Sequence, residues 1–252
     1  MNKNKFSLII YLLIFSGFFI KAQEYKFKHL GAKQGLNHSF IYTLDQDKNG
    51  LLLVGTGEGV GVYDGKSFQM FNSRNRLAEN FVSSSYTDSK GNIWFGHKKG
   101  GSSIYKNKEF DVVHAGDGIN SIVNDIAEDS EGRIWFATQN RGLYFVNSSG
   151  KFEFFLESFP TYLLEAIFFH DDFLFIGSNK GMQVYKYFED ENSLSKVQDI
   201  TQLSNLSIVD VISFNSEILI ASKNGKLFNL KNSQGVFVAE EFNVKNLPID
   251  IV

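Results

Sequence analysis

The 252-residue sequence has no cysteine. Disulfides, thiolate metal sites, cysteine nucleophiles and an acylated cysteine behind a leader are therefore excluded. Export is not excluded, because a large β domain buries enough surface to be stable without cross-links. Proline is also scarce, at 2 residues against 22 glycines, so glycine must build the tight turns. Positive charge is thin: the formal net charge is -3, and removing residues 1–22 with Lys3, Lys5 and Lys21 would bring it to -6. With no basic patch, phosphate-backbone binding has no support and nucleic acid is not an expected partner. Beyond the N-terminus no apolar run is long enough to span a bilayer.

What the chain has in quantity is aromatic residues, 26 Phe and 10 Tyr with 2 Trp. Such residues favour half-buried strands. The N-terminus is different in kind. Lys3 and Lys5 precede an uncharged, apolar stretch from Phe6 to Ile20, which at 15 residues is short for a membrane span but suits a secretory leader. Residues 1–22 are expected to be a signal peptide cleaved after Ala22, which implies a periplasmic or extracellular location. An uncleaved anchor flanked by Lys21 is the alternative.

The dominant signal is a repeat of about 41 residues. Its anchor is a short apolar run closed by a small residue: Leu53-Val54-Gly55, Trp94-Phe95-Gly96, Trp135-Phe136-Ala137, Phe175-Ile176-Gly177 and Leu219-Ile220-Ala221. The closing residues are 41, 41, 40 and 44 positions apart, a period typical of propellers and solenoids. Six residues before the first three anchors stands an Asp (Asp47, Asp88, Asp129), and three before stands a Gly (Gly50, Gly91, Gly132). Asp bonds its own downstream backbone and Gly accepts positive φ, so the pair predicts a hairpin turn. Further glycine turns follow at Gly59, Gly100-Gly101, Gly142, Gly181 and Gly225, and a third turn at Asp64-Gly65 or Ser149-Gly150 leads to Phe68 or Phe152.

Four strands and three hairpin turns per repeat describe a propeller blade. The expected fold is an all-β propeller over residues 23–252, with blades at about 35–75, 76–117, 118–158, 159–202 and 203–246. The fourth and fifth repeats lack the turn Gly and the Trp, so less regular packing is expected there. The segment from Phe188 to Ser193 should be a longer hairpin. Tyr25 to Leu30 and Leu247 to Val252 look like orphan strands of further blades. The chain is thus expected to be an incomplete ring, part of a seven-blade propeller, as a fragment or truncated product.

These residues carry a family resemblance. Gly35-Leu36, Asp88 with Gly91-Asn92-Ile93-Trp94-Phe95-Gly96, Gly55-Thr56 with Gly59-Val60, and Tyr63-Asp64-Gly65 with Phe68 together resemble the two-component regulator propeller repeat. The likeness runs over roughly residues 25–252 and is strongest in the first three repeats. It implies the periplasmic sensor part of a Bacteroidetes-type hybrid histidine kinase receptor. In that family a β-sandwich, a transmembrane helix and a cytoplasmic signalling module follow in the same polypeptide. The resemblance transfers no catalytic residue to this chain.

Enzyme signatures fit poorly. Gly55 to Gly61 is glycine-rich but lacks dinucleotide spacing, and Gly65-Lys66-Ser67 has Val60 where a phosphate loop needs its first glycine. Five histidines (His29, His38, His97, His114, His170) form no metal-binding pair, and no nucleophile elbow is present, so no metal or cofactor is expected. The Asp-bearing turns invite comparison with sialidases, but Arg74, Arg76, Arg133 and Arg141 are the only arginines to hold a substrate carboxylate. A non-enzymatic sensor of a small molecule or oligosaccharide is the leading expectation. A structural or secretion-linked interaction propeller is the alternative, and a glycoside hydrolase a minor one. Any ligand should meet the loops entering the innermost strands, at Asn37, His38, Asn80 and Asn120.

Overall fold

The computed structural model describes residues 27–114, 116, 120–147, 150, 152–155, 163–188, 193–214 and 217–242. The chain divides into an N-terminal unit ending at Leu30 and a second unit beginning at Gly31. Among its described residues the second unit is built of strands, with short 3-10 turns at Ala32–Gln34 and Thr201–Leu203.

Among the described residues, twenty strands form five antiparallel sheets of four, each taken in chain order. Blade 1 comprises β1 (Ile41–Gln46), β2 (Leu52–Thr56), β3 (Gly59–Tyr63) and β4 (Phe68–Phe71). Blade 2 comprises β5 (Val82–Thr87), β6 (Ile93–His97), β7 (Ser102–Lys106) and β8 (Glu109–His114). Blade 3 comprises β9 (Val123–Glu128), β10 (Ile134–Thr138), β11 (Gly142–Val146) and β12 (Phe152–Phe155). Blade 4 comprises β13 (Leu164–His170), β14 (Phe173–Ser178), β15 (Gly181–Phe188) and β16 (Ser193–Asp199). Blade 5 comprises β17 (Ile208–Phe214), β18 (Glu217–Ser222), β19 (Leu227–Ser233) and β20 (Val236–Phe242). The first strands of successive blades abut, β1 on β5, β5 on β9, β9 on β13 and β13 on β17. The sheets therefore stand side by side with their inner strands together, as propeller blades do.

Alternation along the anchor strand explains why it is apolar throughout. In β6, Trp94 joins a core with Phe136 and Tyr144 of blade 3, while Ile93 and Phe95 join one with Leu53 and Val60 of blade 1. The anchor strands of blades 2, 3 and 4 thus each contribute to two cores, one on each side. The small residue that ends the anchor marks the closest approach. A Cβ added to Gly96 would collide with Val123 of the next blade and with Ser84 Oγ, and one at Gly177 would lie 2.8 Å from Ile208 Cγ2. Inner strands can pack this tightly only on a residue of minimal size.

The Asp-containing turns do more than reverse the chain. In blade 2, Asp88 Oδ1 accepts the N–H groups of Lys90 and Asn92 at 3.0 and 2.8 Å, while Oδ2 accepts the Trp94 indole N–H at 2.9 Å. Blade 3 repeats the arrangement, with the Trp135 indole 2.6 Å from Asp129 Oδ2 and Arg133 Nε also at 2.6 Å. A buried indole N–H needs an acceptor, and the turn carboxylate six residues upstream supplies it.

Less regular packing is expected in the fourth and fifth repeats: the anchor strand of blade 5 is only half buried, whereas in blade 4 another ring fills the Trp place. Phe175 takes the Trp place fully buried and meets Phe237 edge-on at 5.1 Å, with Val184, Ile208 and Ile220 around it. A large ring of either kind fills that gap, so loss of the indole leaves no void. The hairpin expected at Phe188 to Ser193 joins β15 to β16, and its tip lies outside the described residues. So do Leu247 to Val252 and residues 1–26. Phe27–Leu30 are described and form no strand, a correction to the orphan strand expected there. An extended segment becomes a strand only when another edge pairs with it. At the flanks of the row, Leu44 on β1 is 65% exposed and Ile212 on β17 is 48% exposed, since among the described residues no further blade covers them.

Candidate ligand-binding cleft

Antiparallel order fixes which loops share an end. The loop entering a blade's first strand and the turn between its second and third strands lie at one end, and the other two turns at the opposite end. Gly57, Glu79, Asn80, Phe81, Lys98, Lys99, Asn120, Ser121, Ile122, Gln139 and Asn140 come from such loops and turns of blades 1 to 3. They line a cleft of about 510 Å³. Two of the four predicted residues, Asn80 and Asn120, are therefore brought together. His38 sits at the margin: its Nε2 would lie 3.0 Å from a Cβ placed on Gly57, and its Nδ1 is 3.2 Å from the Phe40 N–H. Asn37 is exposed and is not part of the lining, because the strand it leads into begins four residues later.

Lys98, Lys99, Gln139 and Asn140 were missed by sequence reasoning. They lie in the glycine turns between second and third strands, which the repeat pattern marks only as turns. The signal that would have found them is topological: these turns must emerge beside the loops that carry Asn80 and Asn120.

The cleft wall is held by hydrogen bonds that depart from the repeat. In four blades the last residue of the second strand carries a hydroxyl that closes its own hairpin. Thr56 bonds Gly59 O at 2.9 Å, Thr138 bonds Gly142 O at 2.7 Å, Ser178 bonds Gly181 O at 3.1 Å and Ser222 bonds Lys226 O at 2.9 Å. Blade 2 has His97 there instead, fully buried. Its Nδ1 is 3.2 Å from Phe81 O and its Nε2 is 2.8 Å from Ser103 Oγ, which in turn accepts the Ala78 N–H at 2.9 Å. Among the neutral forms, the one with the proton on Nδ1 fits, donating to the carbonyl and accepting from the hydroxyl. Burial pushes its pKa down to about 4, against a smaller opposing effect of the Phe81 carbonyl. The imidazole thereby ties the loop of Glu79, Asn80 and Phe81 to β6 and β7.

Glu79 Oε2 accepts the Lys99 N–H at 2.8 Å, and Asn80 Oδ1 accepts the Ser73 N–H at 2.9 Å. On the third blade, the Asn140 N–H donates to Ser121 Oγ at 3.2 Å and the Gln139 N–H to Ile122 O at 2.8 Å. Loop and turn are thus laced together in each blade. Deeper along the inner strands, Asp125 Oδ2 accepts the Ile167 N–H of blade 4 at 2.8 Å. Burial, with Asp210 nearby as a lesser cause, pushes its carboxyl up to about 7 despite that bond and one from the Ile126 N–H.

The glycine-rich segments with no phosphate-loop spacing are hairpin turns, Gly55 to Gly61 joining β2 to β3 and Gly65 to Ser67 joining β3 to β4.

Among solved structures, the extracellular domain of BT3049 from B. thetaiotaomicron, assigned to a hybrid two component system, superposes with a TM-score of 0.67 at 22% identity. That match covers 85% of this chain and 32% of the other, so the chain spans about a third of its relative's length. The extracellular domain of BT4673 from the same organism, assigned to a one component system, gives 0.63 at 19% identity over 83% of this chain and 29% of its own. An inactive H270A virginiamycin B lyase from Staphylococcus aureus gives 0.64 at 15% identity, over 81% of this chain and 70% of the enzyme. At these identities the likeness concerns the fold. No curated protein sequence matches the chain. The two component regulator propeller model matches residues 76–99 and 117–140, the stretches that lead through the anchors of blades 2 and 3. The chain is thus a row of β-propeller blades, two of which carry stretches that match the two component regulator propeller model.

Proposed function

We propose that this chain is the ligand-sensing propeller of an exported signal-transduction receptor, binding a small molecule or oligosaccharide in the cleft over blades 1 to 3. The observation that carries the reading is the convergence of polar loop residues, Asn80, Asn120, Gln139 and Asn140, on one cleft within family repeats. Its polar, partly open lining suits a hydroxyl-rich solute better than an apolar one. The domain is read as binding without turnover. Glycoside hydrolysis calls for two carboxyl groups about the scissile bond, and Glu79 is the one carboxylate in the lining. Signal output belongs to domains elsewhere in the same polypeptide, and the leader at residues 1–22 delivers the propeller across the membrane.

Calorimetry of the chain against a panel of glycans and metabolites tests the site. A ligand whose binding is weakened by Asn120→Ala and Gln139→Ala supports it, and a ligand indifferent to both sinks it. Reading frame beyond Val252 without a membrane span or signalling module would sink the receptor assignment.

A further inference from the structure

Charge and hydrogen-bonding capacity are shared unequally in this cleft. Lys98 and Lys99 are both exposed at the turn between β6 and β7, and neither ammonium has an ion-pair partner among the described residues. Elsewhere some exposed lysines, such as Lys196, Lys226 and Lys231, pair with carboxylates, while others, such as Lys90 and Lys106, have no ion pair among the described residues. Glu79, the one acid in the lining, already accepts the Lys99 backbone N–H at 2.8 Å. Two positive groups thus stand against one carboxylate, on a chain whose net charge is -3.

The neutral groups offer donors beside the two ammonium groups. Asn80 Oδ1 is occupied by the Ser73 N–H, leaving its NH2 group to donate. The side-chain amides of Asn120, Gln139 and Asn140 have no hydrogen-bond partner among the described residues. Phe81, the one aromatic residue in the lining, packs against Tyr42 at 4.7 Å and lies under the Lys98 ammonium at 5.2 Å. Its ring is engaged on those sides, so the stacking platform that a nucleobase uses is not offered.

We infer that the cleft selects an oligosaccharide bearing an oxyanion, its carboxylate or sulfate held by Lys98 and Lys99 and its hydroxyls by the amides of Asn120, Gln139 and Asn140. This rests on the cleft being the ligand site proposed above. Exposed ammonium groups are screened by salt and contribute modestly alone. The anion therefore sets selectivity while the amides supply register.

The experiment is calorimetry of the chain, at low and high salt, with four probes. These are trigalacturonate, its fully methyl-esterified form, a sulfated chondroitin disaccharide and neutral maltotriose. The expected result is that at least one acidic probe binds, about tenfold tighter than the neutral ones. High salt and the Lys98→Gln/Lys99→Gln double variant should each erase that preference, with the melting temperature unchanged. Which acidic probe binds separates carboxylate from sulfate. Equal binding of acid and ester, or indifference to the double variant, overturns the charge selection yet leaves the cleft in place if Asn120→Ala still weakens binding. Indifference to Asn120→Ala as well, or no binding of any probe, overturns the cleft together with the selection.

Discussion

His97 Nε2 lies 2.8 Å from Ser103 Oγ, at the one position where four other blades carry a threonine or serine that closes its own turn. The exchange redirects a hydrogen bond from the local hairpin to the loop lining the cleft. Its consequence for stability is a matter of sign. The folded pKa, about 4, lies below the ordinary histidine value of 6.5, so the unfolded chain takes up a proton that the folded chain refuses. The stabilisation is complete above pH 6.5 and is lost as pH falls toward 4. His97→Thr should remove that dependence: between pH 7.5 and 4.5 the parent should lose roughly 2 kcal/mol more than the variant, a few degrees of melting temperature. Equal losses in the two proteins would contradict a buried neutral imidazole.

Asp125 works in the opposite direction. Its carboxyl is raised to about 7, so the folded chain holds a proton the unfolded chain releases near 3.8. Stability is lost as pH rises through that interval, by roughly 1–2 kcal/mol once partial solvent contact is allowed for. Asp125→Asn keeps an oxygen for the Ile167 N–H and has no charge to desolvate. Its melting temperature should match or exceed the parent's at pH 8 and lose that advantage at pH 4.5. A variant less stable at both values would mean that the carboxylate itself is favoured.

The turn carboxylates should differ in weight between blades. Asp129 accepts two backbone N–H groups, the Trp135 indole and Arg133, whereas Asp47 serves only its turn and Asn49. Asp129→Ala strands a buried indole N–H and takes the carboxylate partner from a largely buried guanidinium, at a cost of about 3 kcal/mol or more. Asp47→Ala should cost about 1 kcal/mol. Urea midpoints at constant m-value give the comparison, and equal costs would refute the indole link.

Gly96→Ala would force a methyl group into Val123 and Ser84 at the junction of blades 2 and 3, with a loss of about 2 kcal/mol. Gly65→Ala meets nothing within 4 Å but needs φ near +95°, so its loss should be smaller, about 1 kcal/mol. Thermal melts of the two variants rank the steric cost against the backbone cost. The reverse ranking would mean that the inner strands can separate.

Much of the architecture was readable along the chain because each blade is local. Asp88, Gly91 and Trp94 are within six positions of one another, and a hairpin turn needs nothing distant to declare itself. The role of the second Asp oxygen was not readable, since an Asp six residues before a Trp makes a good turn whether or not the indole returns to it. In the fourth repeat the pattern weakened where volume did not, as Phe175 and Phe237 demonstrate.

The site was legible only in part. Asn80 and Asn120 follow from knowing which loops open onto the inner strands, but Lys98, Lys99, Gln139 and Asn140 belong to turns that look alike in every repeat. The amino-acid order alone determined the blade count among the described residues, the strand pairing within each blade and the turn chemistry, since those depend on neighbours within one repeat. Tertiary structure decided which turns share an end, which lysines lack an acid, and that His97 holds a loop rather than its own hairpin. These depend on contacts between loops, strands and blades, where the period of the sequence says nothing about which side chain meets which.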